Sequence, residues 1–325
     1  MATLETMPAL ATNVFEPGSL GFQCKSVKST CDSSSPPKPL FIVTPIVEGT
    51  YPVLMFLPRT QIQNTSYSRM FQLIASHGFI VVAPQLYSCA LVPESEEINS
   101  AAAVTNWLPT GLPSTLPQTI HPNLQLLALS GHSRGGQSTF ALALGRSSPA
   151  TSLPFSVLIA LDPVAGRCFR ICPQILTYVP RSFDLTIPVA VIGTGLGSER
   201  KLGILPACAP NGRNHDEFFT ECRPPCCYFY AKEFGHMDML DEVTLMSCMC
   251  ASGDGKGTGG KDGFRACLAG VFVAFMRAFL EKESGDLRVI VDNPGVAPIT
   301  LDPVIFDGYI HFCLHISGHP TKLER

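Results

Sequence analysis

Short apolar runs rich in β-branched residues alternate with segments of helical period along the middle of this chain. The runs that indicate buried strands are Leu40–Val43, Val53–Leu57, Phe79–Ala83, Leu124–Leu129, Ser156–Leu161 and Pro188–Ile192. The segments with helical spacing are Tyr67–Ala75, Ile98–Leu108, Gln137–Leu144 and Ala266–Leu280. Strands that are apolar on both faces and are separated by helices indicate a mainly parallel sheet covered by helices. The pattern therefore predicts an α/β fold.

No internal repeat and no clean linker interrupts this alternation, so we predict a single α/β domain over residues 37–310. Hydrophobic residues make up 46% of the 325 residues and charged residues 15%, which is typical of a folded domain with a deep core. Residues 1–36 are rich in Ser, Thr and Pro, and we expect them to be poorly structured or extended. Residues 311–325 are expected to form a C-terminal tail.

Charge and hydropathy exclude two classes of partner. The formal net charge is −3 and the basic residues are scattered, so we expect no nucleic-acid interface. The longest apolar run, Ala269–Phe275, is far shorter than the roughly 20 residues that span a bilayer, so we expect no transmembrane segment. A peripheral membrane contact stays open. The first 39 residues contain no Arg and no apolar segment behind a basic start, so they match neither a transit peptide nor a secretory signal.

The chain has 13 cysteines, and seven of them lie close together toward the C-terminus. Their close spacings are Cys222-x₃-Cys226-Cys227 and Cys248-x-Cys250, whereas zinc sites use well-separated C-x₂-C pairs. We therefore expect no metal site. Buried free thiols, or one or two disulfides that close C-terminal loops, are both compatible with the pattern.

The run Gly131-His132-Ser133-Arg134-Gly135 follows one predicted strand and precedes a predicted helix. In the Gly-x-Ser-x-Gly pattern the serine occupies a tight strand-to-helix turn, where Gly131 and Gly135 avoid side-chain collisions. The turn presents the hydroxyl above the sheet edge, and the N-terminus of the helix behind it favours developing negative charge. This combination is characteristic of the α/β-hydrolase fold and predicts that Ser133 is the nucleophile of a serine hydrolase.

A serine nucleophile needs a histidine base, which in this fold follows the nucleophile and the acid along the chain. His236 lies shortly after the apolar run Cys227–Ala231, on the type of loop where the base is expected. His215 is the main alternative. Three further histidines fall in the terminal tail and are expected to be solvated: His311, His315 and His319.

The acid that orients the base is predicted to be Asp162. It directly follows the predicted strand Ser156–Leu161, and a carboxylate at the carboxyl end of a parallel strand faces the ligand site. A helix cap or a turn before Pro163 is the structural alternative for Asp162. Other carboxylates that remain open as the acid are Glu199, Asp216 and Asp238.

Two backbone N–H groups are expected to stabilise the oxyanion of the reaction. One is that of Arg134, directly after the nucleophile. The other belongs to the loop after Val53–Leu57, which reads Leu57-Pro58-Arg59-Thr60. Since Pro58 has no N–H, we predict that Thr60 supplies the second donor.

Five segments of the chain together resemble plant chlorophyllases. They are Ala75–Tyr87, Gly131–Gln137, Leu161–Gly166, Val191–Gly197 and Gly235–Asp238. The Gly-x-Ser-x-Gly turn is shared by many lipases, but the Asp-Pro-Val-Ala-Gly and Gly-Thr-Gly-Leu-Gly segments are more specific. The resemblance extends from about Pro37 to Pro303.

This resemblance implies hydrolysis of the phytyl ester of chlorophyll to chlorophyllide and phytol. The family's triad falls on Ser133, Asp162 and His236, and the reaction passes through a chlorophyllide acyl-enzyme. It implies no metal and no diffusible cofactor, because the magnesium belongs to the substrate. It also implies a chloroplast location, with the cytosol or the endomembrane system as alternatives.

Cysteines of the family match Cys208, Cys222, Cys250 and Cys267 of this chain. From the resemblance we expect Cys208 to pair with Cys222, and Cys250 with Cys267.

The chain departs from the family at Pro58-Arg59, where relatives typically have His-Gly. The missing glycine changes the loop that approaches the substrate carbonyl. Two other functions therefore stay open beside the chlorophyllase prediction. One is a general carboxylesterase or lipase acting on lipophilic esters, and the other is a catalytically weak protein that binds pigment or lipid.

Overall fold

The apolar runs predicted as strands lie side by side in one nine-stranded sheet. The computed structural model describes residues 11–87, 93–166, 174–242 and 249–308. The strands are β1 (Phe22–Val27), β2 (Leu40–Pro45), β3 (Gly49–Leu57), β4 (Ile80–Pro84), β5 (Ile120–His132), β6 (Val157–Leu161), β7 (Val189–Thr194), β8 (Cys226–Ala231) and β9 (Val304–Asp307). The α-helices are α1 (Ser68–Ser76), α2 (Glu94–Thr115), α3 (Arg134–Ala143), α4 (His215–Glu221), α5 (Gly260–Met276) and α6 (Gly285–Asp292). A π-helical segment, Arg277–Glu281, continues α5.

The strands follow the order β1-β2-β4-β3-β5-β6-β7-β8-β9 across the sheet. From β4 to β8 every neighbouring pair is parallel. β2 is antiparallel to β1 and β4, and β9 is antiparallel to β8. The loops that follow β3, β5, β6, β7 and β8 therefore meet at one edge, where open α/β sheets bind ligands. This mostly parallel sheet flanked by helices confirms the predicted α/β-hydrolase fold.

Alternate side chains of β3 enter two separate cores, as the period of two in a strand requires. Leu54 and Phe56 face the core that α1 and α5 cover. Val53, Met55 and Leu57 face the core that α2 and α3 cover. All five side chains are fully buried, and each such burial stabilises the fold by about 1.5–3 kcal/mol.

The most apolar helix of the chain is part of the core. The stretch Gly260–Glu281, which contains α5, is long and apolar enough to cross a membrane by length and composition alone. However, 78% of its apolar window is buried inside the protein. This agrees with the expectation that the apolar run Ala269–Phe275 does not span a membrane.

The edges of the sheet differ from the sequence-based expectation. β1 pairs with β2 over residues 22–27, so the sheet begins before the predicted domain boundary at residue 37. Val14 and Phe15 are also buried, and a Cβ at Gly270 of α5 would lie 2.4 Å from the Phe15 ring. β9, α4 and α6 were not predicted either. The predicted tail at residues 311–325 lies outside the described residues, as do His311, His315 and His319.

Both expected disulfide pairings are wrong. Cys208 bonds to Cys250 instead, with a Cα–Cα separation of 5.7 Å. This bond joins the loop after β7 to the loop after β8, both at the ligand-binding edge. Because Cys208 and Cys250 bond to each other, Cys222 and Cys267 are left as buried free thiols.

Candidate active site

Ser133 stands between β5 and α3 with φ 59° and ψ −123°, a backbone conformation that is unusual for a residue with a side chain. Its N–H donates to the carbonyl of Leu161 at 3.0 Å, which fixes the turn against β6. The turn also requires its two glycines. A Cβ at Gly131 would lie 2.5 Å from the Gly135 carbonyl oxygen, and one at Gly135 would lie 2.2 Å from the Leu57 carbonyl oxygen.

The structure brings Ser133, His236 and Asp162 into one hydrogen-bonded chain. His236 Nε2 lies 2.8 Å from Ser133 Oγ, and His236 Nδ1 lies 2.6 Å from Asp162 Oδ2. Asp162 directly follows β6, and His236 lies in the loop after β8, as the sequence predicted. His236 and Asp162 are fully buried, whereas Ser133 is 6% exposed. Of the three side chains, Ser133 is therefore the one with some exposure to solvent.

Asp162 is held as a carboxylate by several partners. The Thr194 hydroxyl donates to Oδ2 at 2.5 Å, and the Thr194 N–H donates to Oδ1 at 3.2 Å. Burial raises the pKa of Asp162, but the hydrogen bond and charge of His236, the charge of His215 and the Thr194 hydroxyl outweigh it and lower the pKa below its usual value. The acid is therefore ionised and oriented before substrate binds.

Burial has the opposite effect on His236, because it disfavours the charged imidazolium. Burial lowers the pKa of His236, and the hydrogen bond to Asp162 only partly reverses this. A neutral imidazole can accept the proton of Ser133, which is the state that a general base requires.

His215, the alternative base, lies on the other side of Asp162. Its Nε2 is 3.8 Å from Asp162 Oδ1, and its Nδ1 is 2.8 Å from the Tyr228 hydroxyl. The Tyr228 hydroxyl donates to Asp216 at 2.6 Å. A Cβ at Gly193 would lie 2.4 Å from His215 Nδ1, so the glycine leaves room for this ring.

The remaining candidate acids have other surroundings. Asp216 binds His215 and Tyr228. Asp238 accepts the N–H groups of Gly235 and Gly253, and so organises the loop that carries His236. Glu199 is exposed on the loop after β7.

The loop after β3 abuts the serine turn, because the carbonyls of Leu57 and Pro58 pack against Gly135. The Arg59 N–H donates to the Tyr67 hydroxyl at 3.1 Å, and this hydroxyl lies 2.8 Å from His132 Nδ1. Tyr67 therefore connects the loop to the residue before Ser133. The Arg59 N–H is occupied by this bond, and Thr60 as the second oxyanion donor stays a prediction.

Sequence analysis missed a buried acid behind the turn. Glu97 of α2 is fully buried, lies 2.7 Å from Arg134 Nε and accepts a hydrogen bond from Ser138 Oγ. Burial raises the pKa of Glu97 to about 7. Arg134 also lies 5.7 Å from the centre of the Tyr87 ring. Glu97 is buried on α2 together with Ile98 and Ala101, and a carboxylate among such apolar residues is the sequence signal that could have identified it.

The strand–serine–helix turn, with a buried histidine and aspartate behind it, is characteristic of the serine esterases of the α/β-hydrolase fold. The sequence profile of the Chlorophyllase family matches residues 10–308 of the chain. The chain therefore belongs to the chlorophyllase family and is a carboxylic ester hydrolase.

Individual relatives are similar along nearly their whole length. Chlorophyllase-1 of Arabidopsis thaliana is 43% identical over 319 residues, which cover 93% of this chain and 96% of that protein. A Citrus unshiu protein named "Chlorophyllase-1, chloroplastic" is also 43% identical, over 93% of this chain and 92% of its own length. Chlorophyllase-2 of Arabidopsis thaliana is 42% identical, over 83% of this chain and 86% of its own length. The chloroplastic Citrus relative supports the predicted chloroplast location.

Proposed function

We propose that this chain hydrolyses the phytyl ester of chlorophyll to chlorophyllide and phytol through an acyl-enzyme on Ser133. The observation that carries the proposal is the continuous hydrogen-bonded chain from Ser133 through His236 to Asp162, in a member of the chlorophyllase family.

In the first half of the reaction, His236 Nε2 takes the proton of Ser133 Oγ while the oxygen attacks the ester carbonyl carbon. The negative charge that develops on the carbonyl oxygen is stabilised by the N–H groups of Arg134 and Thr60. His236 then gives its proton to the leaving oxygen. Phytol departs, and the chlorophyllide acyl group stays on Ser133.

In the second half, His236 takes a proton from water while the water oxygen attacks the acyl carbon. The tetrahedral intermediate collapses, Ser133 Oγ regains the proton from His236, and chlorophyllide leaves as the acid. Asp162 keeps the imidazole in the required tautomer and stabilises its charged form in both halves.

Product analysis on chlorophyll a in detergent micelles tests this proposal. We expect chlorophyllide a and phytol from the native protein and none above background from Ser133→Ala. Ser130→Ala is the matched control, because Ser130 is a buried serine on β5, whereas the ring nitrogens of His236 lie within hydrogen-bond distance of Asp162 and Ser133. Equal chlorophyllide formation by the native protein and Ser133→Ala contradicts the proposal.

A carboxylesterase that prefers other lipophilic esters is the second candidate, and the Pro58-Arg59 loop against Gly135 is the observation that favours it. Under this candidate kcat/KM for a short p-nitrophenyl ester exceeds that for chlorophyll a. The same loop also favours the third candidate, an inactive protein that binds pigment or lipid. Under this candidate a fluorophosphonate leaves Ser133 unmodified.

A further inference from the structure

Arg59 carries a half-buried positive charge for which the described part of the chain supplies no carboxylate. Its Nε is buried without a hydrogen-bond partner there. Its Nη1 donates to the carbonyl of its neighbour Thr60, at 3.0 Å. Burial lowers the pKa of Arg59, yet a guanidinium stays protonated in proteins. Buried polar atoms are usually paired, so the unpartnered Nε indicates that an anion is missing beside it.

Arg59 lies on the loop that packs against the turn of Ser133. Its guanidinium contacts Thr60, the residue predicted to stabilise the oxyanion, and its N–H bonds the Tyr67 hydroxyl. That hydroxyl lies 2.8 Å from His132, whose ring centre is 4.7 Å from that of His236.

The charge of Arg59 also reaches the base. Burial is the main cause of the lowered pKa of His236, and the positive charge of Arg59 lowers it further. The charge acts on His132 in the same direction, after burial and the charge of His236. The contacts from Arg59 through Tyr67 and His132 point to an anion site near His236.

The proposed reaction produces such an anion. The substrate ester is neutral, whereas the product acid ionises to a carboxylate once it leaves Ser133. Guanidinium groups bind carboxylates through two parallel hydrogen bonds, and they bind an ester less well because it lacks the charge.

We propose that Arg59 binds the carboxylate of the hydrolysis product and makes this enzyme retain that product. The proposal rests on the proposed hydrolysis and adds a binding site to it. The expected consequence is competitive inhibition of the reaction by chlorophyllide.

Equilibrium binding to Ser133→Ala protein tests the proposal without turnover. The two ligands are chlorophyllide a and its methyl ester, in which one added methyl group removes the charge of the carboxylate. Each is titrated against Ser133→Ala alone and against Ser133→Ala combined with Arg59→Gly, Arg59→Lys or Arg200→Gly. Arg200 is the matched control, since it is an exposed arginine on the loop after β7.

We expect Arg59→Gly to weaken binding of chlorophyllide by roughly 10- to 100-fold, which is the usual effect of losing a hydrogen bond to a charged group. The Kd of the methyl ester should change by less than roughly threefold, because this ligand has no charged contact to lose. Arg59→Lys should retain part of the preference for chlorophyllide over its methyl ester, and Arg200→Gly should retain all of this preference. The proposal is overturned if Arg59→Gly weakens the binding of both ligands equally, or weakens the binding of neither.

The test separates this inference from the proposed function. If the native protein releases no chlorophyllide from chlorophyll but Arg59→Gly still weakens only the carboxylate ligand, the function fails and the anion site stands. If chlorophyll is hydrolysed and Arg59→Gly leaves the preference unchanged, the function stands and the anion site fails.

Discussion

Two buried histidines approach the same carboxylate from opposite sides. His236 lies 2.6 Å from Asp162 Oδ2, and His215 lies 3.8 Å from Asp162 Oδ1. The difference between them is the group at the far side of each ring. The other nitrogen of His236 is 2.8 Å from Ser133 Oγ, whereas that of His215 is 2.8 Å from the Tyr228 hydroxyl. Of the two rings, only His236 is placed to exchange a proton with Ser133 Oγ.

The surroundings also give the two rings opposite charge preferences. Burial lowers the pKa of both, but His236 has only the carboxylate of Asp162 to offset it, and its pKa stays below the usual value. For His215, the hydrogen bond to Asp216 and the charges of Asp162 and Asp216 outweigh burial and raise the pKa. Burial lowers the pKa of both rings, so the opposite net shifts come from their partners.

Replacing the base should give the largest effect. His236→Ala is expected to lower kcat on a soluble ester by about 10⁴- to 10⁶-fold, because the serine loses its proton acceptor. His215→Ala should lower kcat far less. Steady-state kinetics on both variants, with circular dichroism to verify folding, checks the prediction. Similar losses for the two variants would mean that the rings do not have separate roles.

Removing the negative charge of Asp162, which lies between the two histidine rings, should give the second largest effect. Asp162→Asn is expected to lower kcat by about 10⁴-fold, because an amide no longer holds His236 in the required tautomer or stabilises its charged form. KM should change little. The comparison variant is Asp216→Asn, which leaves Asp162 intact and should cost far less in kcat.

The third prediction concerns the pH profile. Activity rises with pH as His236 loses its proton, and the lowered pKa places this rise below the usual histidine value of 6.5. His215→Gln removes a positive charge that contributes to the lowering, so the acidic limb should move to higher pH. We also expect kcat to fall by about tenfold, which corresponds to about 1.4 kcal/mol in activation free energy. The loss should be no larger, because Thr194 still orients the carboxylate of Asp162. If His215 had a purely structural role, His215→Gln would lower activity but leave the acidic limb of the pH profile at the same pH.

The smallest effect should come from crowding His215 without removing it. In Gly193→Ala the new Cβ would lie 2.4 Å from His215 Nδ1, so the ring must shift away from its place beside Asp162. We expect a loss in kcat of a few fold, roughly within the tenfold of His215→Gln. Gly285→Ala is the control, because a Cβ there meets nothing within 4 Å. In the Gly193→Ala, His215→Gln double variant the two losses should not add.

Sequence reasoning reached the sheet and the three residues of the hydrogen-bonded chain for physical reasons. Buried parallel strands have long apolar runs, and the Gly-x-Ser-x-Gly turn needs glycines that are visible in the sequence. The positions of Asp162 and His236 followed from the rule that the carboxyl ends of parallel strands meet at one edge. Edge strands such as β1, whose residues are mostly exposed, show no such run.

What depends on distances between remote loops was not predictable from the sequence. The bond between Cys208 and Cys250 links loops after different strands, and no spacing rule selects that pair. The relation of His215 to Asp162 depends on α4, a helix of seven residues that gives little periodic signal. The link from Arg59 through Tyr67 to His132 joins three segments in the same way.

The central claim is that His236, and not His215, activates Ser133, and the rate of labelling by a fluorophosphonate measures this activation directly. The account predicts one adduct, located by peptide mass spectrometry on Ser133, and none in Ser133→Ala. His215→Gln should be labelled within about tenfold of the native rate, whereas His236→Ala should be slower by at least about 10³-fold. Labelling of His236→Ala at the native rate, or an adduct that persists in Ser133→Ala, would contradict the account.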